Sequence, residues 1–473
     1  SSRRRHTRFS GVTGVQTCAL PISAGDDAGW PCIGRHRAAR TALTKPLPPA
    51  GHVPLSFDEA LDAILLQADG RTTEMESVAL AQALGRALGA PVHSRVALPP
   101  WDNAGMDGYA VQRADVMGAT RSVPRVLPVL GMSAAGADAT ALPWVQPGTA
   151  LRIMTGAPMP PGANAVIRIE DTDEGIDQVT VFDDRDANGR ANVRPRGEDI
   201  AAGSELFARG TTIGASHLGV LASIGAHTVS VHRAPRVTIV SSGDELVMLD
   251  QFDEVEAGQR IVSSTSYALP ALLRSAGADV RTLPLVPDTL SALTNALSGA
   301  LDDGCDVLIT TGGVSVGAHD YTRDALAALG GRQTFWRARI RPGGPIGTGT
   351  VREVPWIGLP GNPVSTMVTG SLFAWPLIRL LGGHAGHRPL RVPVRFVDSA
   401  DTPAPLTHFL RVILSAGADG MPEARLAGAQ GSNLLRTMAL ANALLLIPPE
   451  VSRAEPGMLL TAILLPDVPL MTT

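Results

Sequence analysis

Lysine is almost missing from this chain: Lys45 is the only one in 473 residues, so arginine carries nearly all of the positive charge. Arginine stays protonated and cannot serve as a general base or form an imine, which closes amine chemistry to everything beyond Lys45. Cysteine is scarce too. Cys18, Cys32 and Cys305 are too few and too scattered for a disulfide framework or a zinc site, and a reducing, cytoplasmic setting is expected. A net charge of −4 supplies no basic excess for nucleic acid or for a membrane surface. No unbroken apolar stretch in the sequence approaches the ~20 residues that cross a bilayer.

What remains is the composition of a globular protein, with 44% hydrophobic and 18% charged residues, and a length that suits about three domains. The first fifty residues stand apart. Val-Thr-Gly-Val-Gln-Thr-Cys-Ala-Leu-Pro-Ile at 12–22 resembles the translation of a sequencing-adapter oligonucleotide, and 1–50 are expected to be artefactual and without fold. Order is expected from Val53, where Ser56 can cap a helix carrying Phe57, Ala60, Leu61, Ile64 and Leu65 on one face. Residues 53–95 and 200–233 read as an N-terminal linker domain, and 96–199, rich in Gly, Pro and short branched runs, as a β-rich domain. From 234 to 385 strands alternate with helices, which predicts an open, mostly parallel sheet covered on both faces. Residues 388–470 alternate apolar strands with proline turns, as in a small β-barrel. The fold class is thus multidomain α/β plus β.

The most informative segment is Thr-Thr-Gly-Gly-Val-Ser-Val-Gly-Ala-His-Asp-Tyr at 310–321, between an apolar strand and a helix. Gly312, Gly313, Ser315 and Gly317 can form a backbone cradle for an oxyanion, because glycine allows φ > 0 and helix-start N–H groups face negative charge. It is neither the dinucleotide fingerprint nor the Walker loop. Asp320 then puts a carboxylate beside that cradle. Either it caps the helix, or it holds a Mg²⁺ that lets carboxylate and phosphate coexist. Four other segments stand out: Pro-Pro-Trp-Asp-Asn-Ala-Gly-Met-Asp-Gly-Tyr at 99–109, Met-Thr-Gly-Ala-Pro-Met-Pro-Pro-Gly at 154–162, Ser-Ser-Gly-Asp-Glu-Leu at 241–246 and Gly-Leu-Pro-Gly-Asn-Pro-Val-Ser at 358–365. Each alone is compatible with ordinary turn chemistry.

Together and in this order, over about residues 53–465, these motifs resemble the molybdopterin molybdenumtransferase family. The resemblance implies an elongated homodimer that takes molybdate and adenylylated molybdopterin, without nucleic acid or membrane, and yields molybdenum cofactor and AMP. It implies that Glu245, Asp288 and Asp320 hold Mg²⁺ near a pyrophosphate, with Asp107 and Thr155 among the catalytic positions. Pro360, Asn362 and Pro363 correspond to a molybdate-site turn, and Arg194, Asp199, Arg411 and Ser432 to substrate-gripping positions, some of them across the dimer. Arg337 and Arg341 stand where many relatives carry lysine, and Gly344 where a basic residue is common, so one oxyanion contact is either missing or supplied by Arg339. Ala104-Gly105 replaces the commoner Ser-Ala before Met106-Asp107. A non-catalytic molybdopterin-binding scaffold and an adenylyltransferase are the competing readings.

Overall fold

The computed structural model describes residues 54–68, 70–187, 192–313, 321–403 and 405–466. Ser315, Gly317 and Asp320 therefore lie outside the described residues, as does all of 1–53.

A six-stranded sheet occupies the middle of the chain. Its order is Asp279–Thr282, Arg236–Ser241, Val307–Thr311, Val354–Leu359, Pro345–Val351 and Arg332–Arg337. The first four strands run parallel, with Val237 opposite Val307 and Ile309 opposite Ile357, and the last two are antiparallel additions. Strand residues point alternately to the two faces, and both faces are buried. Val237, Ile239, Val307, Ile309 and Ile357 pack on Leu269, Leu272 and Leu273 of helix Thr265–Ser275 and on Val368, Leu372 and Phe373. On the opposite side Val240, Leu308 and Trp356 meet Leu293 and Leu297 of helix Leu290–Asp302 and Leu326 of helix Thr322–Ala328. Burial on two sides explains why these strands are continuous apolar runs.

The helical run Pro363–Leu381 is 19 residues long and apolar enough by composition to cross a membrane, yet most of it is buried inside the protein. It is the central core helix, with a π-helical stretch at Gly370–Ala374.

Helix Phe57–Leu65 forms as expected, and its cap is reciprocal: Ser56 Oγ accepts the Glu59 N–H, and Glu59 Oε2 accepts the Ser56 N–H at 2.9 Å. Its position is less expected. Phe57 packs edge-on against Phe373 (5.6 Å) and Phe409 (4.9 Å), so the helix belongs to the central core rather than to a linker. Beyond it, strand Met75–Ala79 pairs antiparallel with Thr228–His232, and Val92–His93 with Glu205–Phe207, around a small core of Leu88, Ile213, Leu221 and Val231. His384, at the end of the core helix, is buried, and its Nδ1 lies 2.8 Å from Thr212 Oγ1, which also accepts from Arg379.

Residues 103–194 carry a five-stranded sheet in the order Ala165–Arg168, Gly108–Val111, Ala150–Ile153, Arg125–Ser133 and Gln178–Val181. Near the C-terminus, Thr407–Ala416, Pro422–Leu426, Arg391–Phe396, Leu459–Leu464 and Ala443–Ile447 pair in turn, and the last returns to the first. That closes a five-stranded barrel around Val394, Phe396, Val412 and Leu445 and leaves it without free edges.

Candidate active site

Parallel strands leave a crevice beyond their carboxyl ends, and here it is a cavity of about 410 Å³. The turns after Ser241, Thr311 and Leu359 line it, bringing together Glu245, Asp288, Gly312, Gly313, Pro360, Asn362 and Pro363. The glycine turn is tight. Gly312 has φ +82°, and a Cβ there would sit 2.8 Å from the Ser242 carbonyl oxygen. Thr311 Oγ1 donates to Ser241 Oγ at 2.8 Å, and the Gly312 N–H reaches the Leu359 carbonyl at 3.2 Å, which ties the three turns together.

The acidic side of the cleft rests on a residue to which sequence reasoning gave no role. The Asp244 N–H donates to Asp288 Oδ2 at 3.3 Å, and the Asp288 N–H returns a bond to Asp244 Oδ1 at 3.2 Å. This exchange pins the Glu245 turn to the Asp288 turn. Asp244 lies inside the quoted Ser-Ser-Gly-Asp-Glu-Leu motif, which was the only signal for it. Among the described residues no three His, Cys, Asp or Glu side chains are grouped closely enough to hold a metal. Glu245 and Asp288 are two oxygen donors on one cleft, a chemically suitable partial set for a hard cation.

A second cavity, of about 450 Å³, adjoins the first, and Pro345 and Asn362 line both. Its walls are the 337–345 segment, with Arg337, Arg339 and Arg341, the barrel loop with Gln430, Gly431 and Ser432, and Ser365. Among the described residues no carboxylate lines it. Three guanidinium groups facing hydroxyls and loop backbone suit a compact oxyanion. Gly343, at φ +94°, is needed for closure, since a Cβ would lie 2.3 Å from Thr369 Cγ2. Gly344 contributes only its carbonyl, which accepts the Ala338 and Ile346 N–H groups at 3.0 Å each. Arg339 does line the cavity, although its guanidinium also lies 3.9 Å from Glu59. Asn362 starts helix Pro363–Thr369, and its side chain donates to Ser432 Oγ at 3.4 Å.

Arg411 behaves differently from its neighbours. It is 1% exposed and lines neither cavity, and its guanidinium donates to the carbonyls of Ala429, Gln430 and Gly431 and to Thr437 Oγ1. Burial pushes its pKa down to about 10. Its structural work is to hold the loop that presents Ser432.

The remaining expected residues lie in the β-rich region, on turns and a short strand outside its five-stranded sheet. Asp107 Oδ1 accepts the Thr155 hydroxyl (2.6 Å) and N–H (2.7 Å), and these bonds, chiefly the hydroxyl's, lower its carboxyl pKa. The Gly156 N–H to Ala104 and the Gly105 N–H to Asn192 lash this corner to the short strand Val193–Arg194. Asp107, Thr155, Arg194 and Asp199 are exposed and line neither cavity.

Three sequence profiles match in succession: "MoeA N-terminal region (domain I and II)" at 55–225, "Probable molybdopterin binding domain" at 238–380, and "MoeA C-terminal region (domain IV)" at 395–465. The molybdopterin molybdenumtransferase of Nostoc sp. is 37% identical over 380 residues, 79% of this chain and 85% of that protein. Molybdopterin molybdenumtransferase 2 of Mycobacterium tuberculosis is 37% identical over 388 residues, 80% of this chain and 93% of that protein. The crystal structure of the molybdopterin biosynthesis moeA protein from Pyrococcus horikoshii OT3 superimposes with a TM-score of 0.74 at 25% identity, covering 87% of this chain and 100% of that one.

Proposed function

The chain belongs to the molybdopterin molybdenumtransferase family, and from that membership we propose how its two joined cavities divide the insertion of molybdenum into molybdopterin. The protein is a transferase of molybdenum cofactor biosynthesis. In our reading the arginine cavity receives molybdate, and the glycine–carboxylate cleft receives the diphosphate of adenylylated molybdopterin.

The observation that carries this division is the shared wall: Asn362 and Pro345 border both cavities, one basic and one acidic. An oxyanion held by Arg337 and Arg341 would then lie next to a pyrophosphate cradled by Gly312 and Gly313. Arginine gives bidentate donors without a proton to lose, so these residues orient and neutralise rather than act as bases. Glu245 and Asp288, with Asp320 as a third carboxylate, would hold Mg²⁺. The bound ion would screen carboxylates from phosphoryl oxygens and stabilise charge on the departing AMP. Asp244 keeps Asp288 in place, and Arg411 keeps Ser432 in place. The products are molybdenum cofactor and AMP: an oxygen of water or of molybdate would bond to phosphorus as the phosphoanhydride P–O bond breaks.

The exposed Asp107–Thr155 corner, with Arg194 and Asp199, completes this reading in a cytoplasmic homodimer, where it reaches the cleft of the second copy. The test is direct. Incubating the purified chain with adenylylated molybdopterin and Mg²⁺ releases AMP when molybdate is added; a folded preparation that releases none defeats the reading.

A further inference from the structure

A third cavity, of about 220 Å³, lies between helix Thr322–Ala328 and the antiparallel edge of the central sheet. None of its lining residues borders either cavity of the site described above. Its floor is aromatic: Trp336 and Trp356 stack with ring centroids 5.5 Å apart and planes 26° from parallel. The stack depends on Gly347, where a Cβ would lie 2.7 Å from Trp356 and 2.9 Å from Trp336.

The rim is cationic and poorly neutralised. The Arg323 guanidinium is 5.9 Å from the Trp336 ring centroid, the outer limit of a cation–π contact, and has no ion-pair partner among the described residues. Arg332 approaches only Glu353, at 3.9 Å, with both side chains about four-fifths exposed (83% and 79%). Gln333 and Thr350 complete the polar lining.

We propose that this cavity is a second ligand site, for a small planar aromatic carboxylate. A cavity of roughly 150 Å³ accommodates one benzene ring, so the observed space admits a single ring and a carboxylate. The ring packs against the indole floor. The carboxylate takes the donors of Arg323 and Arg332, which a carboxylate matches in pairs. An occupant rests on Trp356, whose indole N–H donates to Thr310 Oγ1 at 3.2 Å, two residues before the glycine turn begins at Gly312.

The probe is benzoate, titrated into the full chain by calorimetry and by tryptophan fluorescence. Benzamide keeps the ring without the charge, and cyclohexanecarboxylate keeps the charge without the plane. Benzoate is expected to bind with a Kd on the order of 1 mM, as befits so small a ligand, and more tightly than either control. The double variant Arg323→Ala/Arg332→Ala weakens it by about tenfold or more, while molybdate-dependent AMP release is unchanged. The inference is overturned if benzamide or cyclohexanecarboxylate binds as well as benzoate, if the double variant binds it normally, or if benzoate does not bind. None of these outcomes bears on the molybdenum chemistry, which the AMP assay reads separately.

Discussion

Asp244 does not line the cleft, yet the cleft's acidic edge depends on it. Its backbone N–H donates to the Asp288 carboxylate, and its own carboxylate accepts the Asp288 N–H, so the Asp244 side chain holds the stretch of backbone from which the Asp288 carboxylate projects. Losing a group that orients a metal ligand typically costs about 10–100-fold in metal affinity. Asp244→Ala is therefore expected to shift the Mg²⁺ dependence of AMP release to higher concentration by that order, with turnover recovering at saturating Mg²⁺. A variant with unchanged Mg²⁺ dependence would show that Asp288 needs no such brace. Gly312 makes a second test. An alanine there meets both a positive φ and the Ser242 carbonyl, so Gly312→Ala should cost on the order of 1–3 kcal/mol of stability in urea unfolding. It should lower activity more than Gly304→Ala, a glycine of similar φ (+79°) with open space around it.

At the scale of elements, the informative pieces are those whose partners are distant in sequence. The antiparallel strands 332–337 and 345–351 carry little strand signal in the sequence, because Gly347 and Gly349 interrupt the second and leave the first without an evident partner. Gly347 and Gly349 are strand residues where a neighbour comes close: a Cβ at Gly349 would lie 2.0 Å from the Arg332 carbonyl oxygen. The parallel strands were legible, since burial on both faces writes a continuous apolar run into the sequence. Helix Phe57–Leu65 was readable as a helix, but not as a part of the central core, because only the tertiary fold brings Phe373 and Phe409 to Phe57.

The junction at the end of the core helix yields a pH prediction. His384 Nδ1 shares a hydrogen bond with Thr212 Oγ1, and Arg379 donates to the same oxygen, so a second positive charge on the ring would sit beside a guanidinium. Burial pushes the His384 pKa from 6.5 down to about 3. Between those values the unfolded chain binds a proton that the folded chain refuses, and stability falls as pH falls. The slope from this group is about 1.4 kcal/mol per pH unit. Urea unfolding between pH 6 and pH 4 should show that slope in the native chain and a shallower one in His384→Gln. Identical slopes would remove His384 from the account.

For the whole molecule, the expected site residues fall into two sets that the single chain does not unite. Glu245, Asp288, Gly312, Gly313, Arg337, Arg341, Pro360, Asn362, Pro363 and Ser432 line the joined cavities, whereas Asp107, Thr155, Arg194 and Asp199 lie in the β-rich region and line neither. Motif order along the sequence made all of these residues visible but could not say which would meet. Arg411 shows the same limit: the family resemblance implied a substrate-gripping position, and in the fold its buried guanidinium bonds the loop backbone at 429–431. If the corner around Asp107 serves a second copy's cleft, mixing Asp107→Ala with Glu245→Ala should restore AMP release that neither has alone. Mixtures that stay inactive after subunit exchange would confine each copy to its own residues.

The guanidinium cavity has one more consequence. No primary amine exists after position 45, so acylating or aldehyde reagents that silence lysine-dependent anion sites have nothing to modify in this one. Its charge also survives alkaline conditions that would strip protons from ammonium groups. Capture of the molybdenum oxyanion should therefore persist through amine-directed labelling and into strongly basic buffer, for as long as the surrounding barrel and sheet stay folded.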